Sequence, residues 1–233
     1  MKEMLKTIRE RHSSRGEFDQ NKPVSKDQLE TILEAARWSP TAHNMQNFDI
    51  IVVDDRKLIE TIGKIKSTIS EEFIRENFRQ LSHSEEELSR KKVGILGAQF
   101  PPKWTDASKL DEAIKERAPA PLSYTIRGGQ TILLALYDTR KRAPASEGDY
   151  LGALSLGCLM ENIWLMAEEL GISMHIMSAF MADEVQKQLR EILGIPSHMR
   201  LAFACKLGYP LSKPAKYLRV RREPESFIHY NKF

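Results

Sequence analysis

One long apolar segment, Gly148 to Gly171 (GDYLGALSLGCLMENIWLMAEELG), limits most strongly what this chain can fold into. It contains no proline over about six helical turns, follows a capping-box-like Ser146-Glu147-Gly148-Asp149 and ends on a glycine. Its apolar side chains would face nearly every direction, so the helix must be buried on more than one side. We predict a central helix of one large domain or, alternatively, a helix shared between the core and a subunit interface, with Gly152, Ala153 and Gly157 permitting close approach.

Only a narrow stripe of this helix is polar. Ser155, Asn162 and Glu169 recur at a spacing of seven residues, and Glu161 and Glu168 lie beside them. The segment is also long enough to cross a membrane, but carboxylates in the middle of a helix are costly in lipid. We therefore predict a buried helix and no membrane association.

The composition is that of a soluble globular protein. The 233 residues suffice for one large domain or two small ones, and 41% of them are hydrophobic and 29% charged. A net charge of +3 is too small by itself to indicate nucleic-acid binding. Cys158 and Cys205 lie in apolar runs, so we expect buried thiols and no disulfide framework. The N-terminus lacks the continuous apolar stretch of a signal peptide, and we expect a cytoplasmic protein.

Hydrophobic spacing and capping residues predict a helix-rich chain with few, spaced strands. Ser25 and Gln28 form a capping-box pattern, Asp183 is expected to cap a helix, and Gly194 is expected to end it. The predicted helices are 2–12, 25–38, one from 54, 148–171 and 183–193, and the predicted strands are 48–53, 131–137, 172–177 and 201–207. This order indicates an α+β fold in one layer-packed domain.

Two segments depart from the pattern. From about Glu71 to Pro121 no clear core face is visible, and we interpret this solvated, partly helical segment as a variable insertion, either a lid or a mobile insertion. The tail from Gly208 to Phe233 contains prolines and several aromatic residues. Over Lys206–Phe233, seven Lys and Arg residues oppose two Glu, a net charge of +5.

Several well-known catalytic motifs are absent from the sequence. It contains neither the glycine pattern of a Rossmann dinucleotide-binding motif nor that of a P-loop. It has no His-Glu-x-x-His and no nucleophile elbow, and its six histidines show no metal-ligand spacing. If the protein is an enzyme, a bound cofactor must therefore carry the chemistry.

Four segments together resemble the nitroreductase flavoproteins. Arg11-His12-Ser13-Ser14-Arg15 offers guanidinium and hydroxyl donors that suit phosphate. It resembles the first N-terminal motif of that family, and Ser39-Pro40-Thr41-Ala42-His43-Asn44-Met45-Gln46 resembles the second. The helix GALSLGCLMENIWLMAEELG and the late Lys-Leu-Gly-Tyr-Pro resemble later segments in the same order. The resemblance covers nearly the whole chain except roughly residues 71–122.

The resemblance implies an architecture and a cofactor. The expected fold is one three-layer α+β sandwich over residues 1–233, in which helices flank a central mixed or antiparallel sheet. The expected assembly is an obligate homodimer with C-terminal arms, residues 208–233, that wrap the partner. Two FMN molecules would lie at the subunit interface.

The resemblance also implies roles for particular residues. Arg11, Ser13 and one or more of Arg219, Arg221 and Arg222 would hold the FMN phosphate. Arg15 would lie near the N1/O2 edge of the flavin ring, where a cation favours the negative charge that develops on reduction. The full set of implied cofactor-binding residues is Arg11, His12, Ser13, Ser14, Arg15, Pro40, Thr41, Ala42, His43, Asn44, Ser178, Ala179, Arg219, Arg221 and Arg222.

Three positions depart from the family pattern. By the resemblance, Ser178-Ala179 would lie at the N5/O4 edge of the ring, where the family often has Glu-Gly. The second motif continues as Met45-Gln46-Asn47-Phe48, where many members have Gln-Pro-Trp. In the family, a polar residue that contacts the flavin ring precedes the second strand; Arg127 is the candidate for that position in this chain. Pro40, Thr41, Ala42 and Asn44 would come from the partner subunit to the ring and ribityl side of the flavin.

The resemblance implies an FMN-dependent NAD(P)H oxidoreductase that reduces nitroaromatics or quinones in a ping-pong reaction, with no side-chain nucleophile and no bound metal. One alternative is reductive dehalogenation, as in the iodotyrosine deiodinases, with residues 71–121 as a lid; flavin cleavage is a further option. Another is a flavin-binding protein without turnover. A fourth is a nucleic-acid-binding protein that uses the basic tail, although our interpretation includes no nucleic-acid partner.

Overall fold

The computed structural model describes residues 3–212 and 217–233. Within these ranges the helices are α1 (Glu3–Glu10), α2 (Lys26–Arg37), α3 (Arg56–Gly63), α4 (Glu71–Gln80), α5 (Glu85–Lys91), α6 (Leu110–Lys115), α7 (Ser123–Ile126), α8 (Tyr150–Glu169) and α9 (Asp183–Leu193). The strands are β1 (Phe48–Val53), β2 (Lys66–Ser67), β3 (Leu81–Ser82), β4 (Ile95–Leu96), β5 (Ala120–Pro121), β6 (Thr131–Asp138), β7 (Ser173–Ile176) and β8 (Met199–Gly208). The predicted helices and main strands are confirmed to within two or three residues.

The chain forms two compact units. The first consists of residues 3–67 and 120–212, and the second of residues 68–119 and 217–233. The first unit contains a four-stranded antiparallel sheet with the strand order β1-β6-β8-β7. It therefore contains all four of the strands that the sequence predicts.

Strand β6 divides the core of the first unit into two layers. Successive side chains of a strand point to opposite faces of the sheet, and both faces of β6 are buried. On one face Ile132, Leu134 and Leu136 pack with residues of α3 and α9. On the other, Leu133 and Ala135 pack with residues of α2 and α8. Helices thus cover both faces of an antiparallel sheet, which confirms the three-layer α+β sandwich.

The ends of α8 show which sequence signals were correct. The Ser146 hydroxyl accepts a hydrogen bond from the Leu151 backbone N–H (3.0 Å), but residues 147–149 form a separate 3₁₀ turn and α8 begins only at Tyr150. The helix ends as predicted, with Gly171 in the left-handed region (φ 68°) and the Ile172 N–H bonded to the Ala167 carbonyl (2.8 Å).

The contacts of α8 are those of a core helix. By length and composition alone, Glu147–Glu169 could cross a membrane. However, Leu159, Ile163 and Ala167 belong to the core beneath the sheet. Cys158 was predicted to be buried and is instead exposed, because it lies on the outward apolar side of the helix. Cys205 is buried as predicted, and burial raises the pKa of its thiol to about 12.

The prediction for the start of α9 was partly wrong. Asp183 is the first residue of the helix, and the N-cap position is held by Ala182, which makes no side-chain cap. Aspartate is favoured in a first turn as well as at a cap, so the sequence signal was off by one position. Gly194 ends the helix in the left-handed conformation, as predicted.

The second unit has a core that the sequence analysis missed. Ile74 of α4 packs with Leu110 and Ile114 of α6, and Phe78 and Trp104 lie against them. Ser70 and Ser84 cap α4 and α5 by accepting hydrogen bonds from the backbone. The helical spacing of these apolar residues was hidden among many charged ones. The interpretation of the segment as lacking a core face was therefore wrong.

Candidate cofactor-binding site

The first basic motif is held against α8 by the polar stripe of that helix. Arg11 Nε lies 3.1 Å from a Glu161 carboxylate oxygen, and the Arg11 guanidinium stacks 4.7 Å from the Trp164 ring centroid. His12 lies 3.8 Å from Glu168. These contacts fix the side-chain direction of Arg11, and a guanidinium carries five N–H donors in a fixed plane.

The same motif runs along the edge of the sheet. Ser13 forms a parallel bridge with Met174 of β7, and the Ser14 N–H donates to the Met174 carbonyl (2.9 Å). The Trp164 indole N–H donates to the His12 carbonyl (3.3 Å). Ser14 is buried, whereas Arg15 is exposed. The motif is thus an extended segment pinned between β7 and α8, and it ends in an outward-pointing cation.

The second motif is docked further toward the N-terminus of α8. Asn162 Nδ2 donates to the Ser39 hydroxyl (3.1 Å) and to the Ala35 carbonyl (3.2 Å). The Ala42 N–H donates to the Ser155 hydroxyl (3.0 Å). The stripe residues Ser155 and Asn162 therefore position the 39–44 loop, which explains their polarity on an otherwise apolar helix.

The 39–46 loop contains an unusual backbone. His43, Asn44 and Gln46 all have positive φ, at 53°, 51° and 43°. Such conformations are uncommon for residues other than glycine and cost of order 1 kcal/mol or more each. The Gln46 N–H bonds to the Thr41 hydroxyl (3.0 Å), which helps to hold this shape. A loop held in a strained shape on a rigid helix is typical of a ligand-contacting segment.

A group of basic residues surrounds the end of the first motif. His175 and Lys206 are paired across β7 and β8, so their side chains lie on the same face of the sheet. Burial, together with the positive charges of Lys206, Arg15 and Arg127, lowers the pKa of His175 to about 4. We call Arg15, Arg127, His175 and Lys206 the basic cluster. At neutral pH, three of its members are cations and His175 is neutral.

Lys206 is the member that sequence reasoning misplaced. It was counted among the charges of the basic tail, but it lies in β8 and is fully buried. Burial, together with the nearby charge of Arg127, lowers the pKa of its ammonium group to about 8. The predicted strand 201–207 already contained Lys206, so its position in the apolar run LAFACKLG was the available signal for its burial.

The chemistry of these groups fits FMN. An anionic phosphate and the N1/O2 edge of the ring, which gains negative charge on reduction, both require donors, and Arg11, Ser13 and Arg15 lie within one five-residue segment. In addition, the Nδ1 atom of His175 is buried without a hydrogen-bond partner among the described residues. A buried polar atom of this kind beside cations suits a polar ligand.

The remaining predicted residues belong to other elements of the chain. Ser178 is exposed and Ala179 half-buried, in a short 3₁₀ turn that follows β7. Arg219, Arg221 and Arg222 belong to the second unit, where Arg222 stacks on Phe227. Two other basic residues of the tail, Lys213 and Lys216, lie outside the described ranges. The roles of all these residues remain predictions.

Known proteins resemble this chain along its whole length. Residues 8–209 match the nitroreductase family. The chain is 21% identical to an NADPH-dependent oxidoreductase of Staphylococcus aureus (strain USA300), over 100% of this chain and 75% of the relative. It is similar in fold to a nitroreductase with bound FMN from Desulfitobacterium hafniense DCB-2 (22% identity, 100% of both chains, TM-score 0.59). It is also similar to the NADPH:FMN oxidoreductase from Vibrio harveyi complexed with NAD+ (18% identity, 99% of this chain and 77% of that one, TM-score 0.61).

The matched region contains both N-terminal motifs, the whole four-stranded sheet and the central helix that docks the motifs. It covers most of the chain. The resemblance inferred from the sequence is therefore confirmed, and the chain belongs to the nitroreductase family.

Proposed function

We propose that this protein is an FMN-dependent NAD(P)H oxidoreductase that reduces nitroaromatic or quinone-like acceptors. The observation that carries the proposal is the basic cluster next to a phosphate-suited motif that β7 and α8 hold rigidly. The relatives named as an NADPH-dependent oxidoreductase and as an FMN-bound nitroreductase support the same cofactors. A cytoplasmic location, where NAD(P)H is present, is part of this proposal.

The cofactor would supply the redox chemistry, taking hydride at N5 of the flavin and passing it on to the acceptor. The side chains of the protein would bind and orient this cofactor. In this proposal Arg11 and Ser13 bind the phosphate, and Arg15 faces the N1/O2 edge of the ring. A preorganised cation at that edge stabilises negative charge as it develops.

The neutral state of His175 matters for this assignment. Burial disfavours a charge on this ring, and a fourth charge in the basic cluster would also be repelled by Lys206, Arg15 and Arg127, so the pKa of His175 is lowered. His175 therefore presents a neutral ring whose Nδ1 has no hydrogen-bond partner in the described part of the chain. Such a group can accept or donate one hydrogen bond without adding charge.

We also propose that the active form is a homodimer. Met4, Leu5 and Ile8 of α1 are exposed, as is Leu154 of α8. The helices carry these apolar side chains on outward faces, which is typical of a protein interface. The second motif, residues 40–44, would then reach the partner's flavin. Residues 71–121 remain, in this proposal, a variable insertion, and residues 208–233 an arm.

The acceptor class can be tested by steady-state kinetics. The purified protein is supplied with NADH or NADPH and with a nitroaromatic, a benzoquinone or an iodinated phenol. We expect parallel double-reciprocal lines, which indicate ping-pong kinetics, with the nitroaromatic and the quinone. Turnover with the iodinated phenol alone would contradict the proposed acceptor class.

A further inference from the structure

A buried lysine stands in an otherwise apolar strand. Lys206 is fully buried in β8, and its Nζ atom donates hydrogen bonds to the carbonyls of Gly16 (3.0 Å) and Ile126 (2.9 Å). The same atom lies 4.2 Å from the ring centroid of Phe18. An ammonium has three N–H donors, and two carbonyls and an aromatic face accommodate them. Burying a charge costs free energy, so a buried lysine at this position needs an explanation.

The chain makes room for this lysine with glycines. A Cβ at Gly129 would lie 3.1 Å from both Cβ and Cδ of Lys206. A Cβ at Gly208 would lie 2.7 Å from Phe18 Cδ2, and one at Gly128, where φ is +77°, would collide with the Phe18 carbonyl. Three glycines therefore shape the space that Phe18 and Lys206 fill.

The two carbonyls belong to the segments that carry the neighbouring arginines. Gly16 directly follows Arg15, and Ile126 directly precedes Arg127. Arg127 adopts a left-handed conformation (φ 43°), and its carbonyl accepts a hydrogen bond from the Phe18 N–H (2.8 Å). Lys206 thus joins two segments that are far apart in sequence and holds each at the peptide next to a guanidinium-bearing residue.

We infer that Lys206 is a positioning residue of the flavin site: it fixes the backbone on which Arg15 and Arg127 are carried, and so aims both guanidinium groups at the ring side of the cofactor. This inference rests on the proposed function. It assigns no contact between Lys206 and the cofactor. Lys206 acts through Arg15 and Arg127. Its substitution should therefore change the affinity for the flavin ring and not the binding of the phosphate.

A role on the ring side of the cofactor predicts how riboflavin and FMN should bind to a Lys206 variant. Riboflavin has the flavin ring but no phosphate, so its affinity reports the ring side alone. The Lys206→Met variant retains a similar apolar volume and loses the ammonium. We expect it to raise the Kd of the FMN-depleted protein for riboflavin and for FMN by the same factor, about tenfold. Lys187→Met, on the exposed face of α9, should leave both values unchanged.

A double-mutant cycle separates positioning from general damage. If Lys206 acts through Arg15, then Lys206→Met should add less than about threefold to the Kd in an Arg15→Gln background, since coupled residues are not additive. A factor that is the same in both backgrounds, or a change below about twofold in the single variant, would overturn the inference. Lys206→Gln, which keeps a donor but not the charge, serves in the same cycle if Lys206→Met does not fold. Failure of the unaltered protein to bind either flavin would instead refute the proposed function.

Discussion

At the scale of single residues, the site depends on groups whose charge is set by burial. His175 and Lys206 are neighbours across two strands, yet one is neutral and the other a cation at neutral pH. The sequence identified Arg11 and Arg15 because they occur in a compact motif. It did not identify His175 or Lys206, since pairing across strands and burial are not visible in a local pattern.

The state of His175 predicts a dependence of stability on pH. The unfolded chain takes up a proton on this ring below about pH 6.5, whereas the folded protein resists it until about pH 4. The stabilisation is therefore present above about pH 6.5 and is lost as the pH falls toward 4. In His175→Val, the loss of unfolding free energy between pH 7 and pH 4.5 should be smaller by roughly 2–3 kcal/mol.

Urea unfolding at the two pH values measures this difference. His229→Val, in the exposed tail, is the control and should behave like the unaltered protein. An equal loss in His175→Val and in the unaltered protein would show that the ring of His175 is not held neutral by the fold.

The phosphate role of Arg11 predicts selective loss of affinity. Arg11→Ala should weaken FMN binding by about tenfold to a hundredfold, because hydrogen bonds to a charged group contribute roughly 1.5–3 kcal/mol. Riboflavin binding should change by less than about threefold, since riboflavin has no phosphate. Fluorescence titration of the FMN-depleted protein measures both. Combining Arg11→Ala with Arg222→Ala tests whether the tail contributes to phosphate binding. Full FMN occupancy in this double variant would refute the phosphate assignment.

At the scale of elements, α8 organises the site. Its polar stripe holds α1, both N-terminal motifs and the end of α2, and Glu169 accepts a hydrogen bond from the Thr7 hydroxyl (2.9 Å). The sequence predicted the helix and its stripe, but not what the stripe binds, because docking partners lie over a hundred residues away. Residues 71–121 were predicted to be partly helical, but the core that their helices share was missed because apolar positions are few among many charged ones.

The docking role of the stripe predicts the effect of one substitution. Asn162→Leu removes the hydrogen bonds to Ala35 and Ser39 and leaves those groups unpaired in a partly buried place. The unfolding free energy should fall by about 1–3 kcal/mol, and FMN affinity should fall with it because the 39–44 loop loses its anchor. Denaturant unfolding and flavin titration measure the two effects. The control Gln188→Leu, on the exposed side of α9, should change neither.

At the scale of the whole molecule, the layer order was predictable and the assembly was not. The unbroken apolar run of β6 and the all-round apolar α8 indicate a layer-packed α+β domain with the sheet covered on both faces, and the family resemblance implied the three-layer sandwich. Of the small residues expected to allow close approach of a partner, Gly157 faces open space, but Gly152 is packed against its own Asp149. The sequence alone does not show which of these two glycines faces open space, because that depends on how the chain folds.

The proposed dimer predicts a selective effect at Gly157. A side chain there meets nothing within its own protomer, so Gly157→Arg should fold normally. In the dimer its charge would be buried against an apolar partner surface, and we expect a monomer by light scattering that has lost FMN. Gly157→Ala should stay dimeric and retain FMN. A dimeric Gly157→Arg variant with bound FMN would place the interface elsewhere.

The absorbance spectrum of the freshly purified protein, recorded before and after anaerobic addition of NADPH or NADH, tests the central claim most directly. We predict a flavin band that is released as FMN on denaturation and that bleaches when the nucleotide is added. A band that persists with both nucleotides would contradict the reductase activity. A colourless protein that also fails to take up added FMN would contradict the flavin site itself.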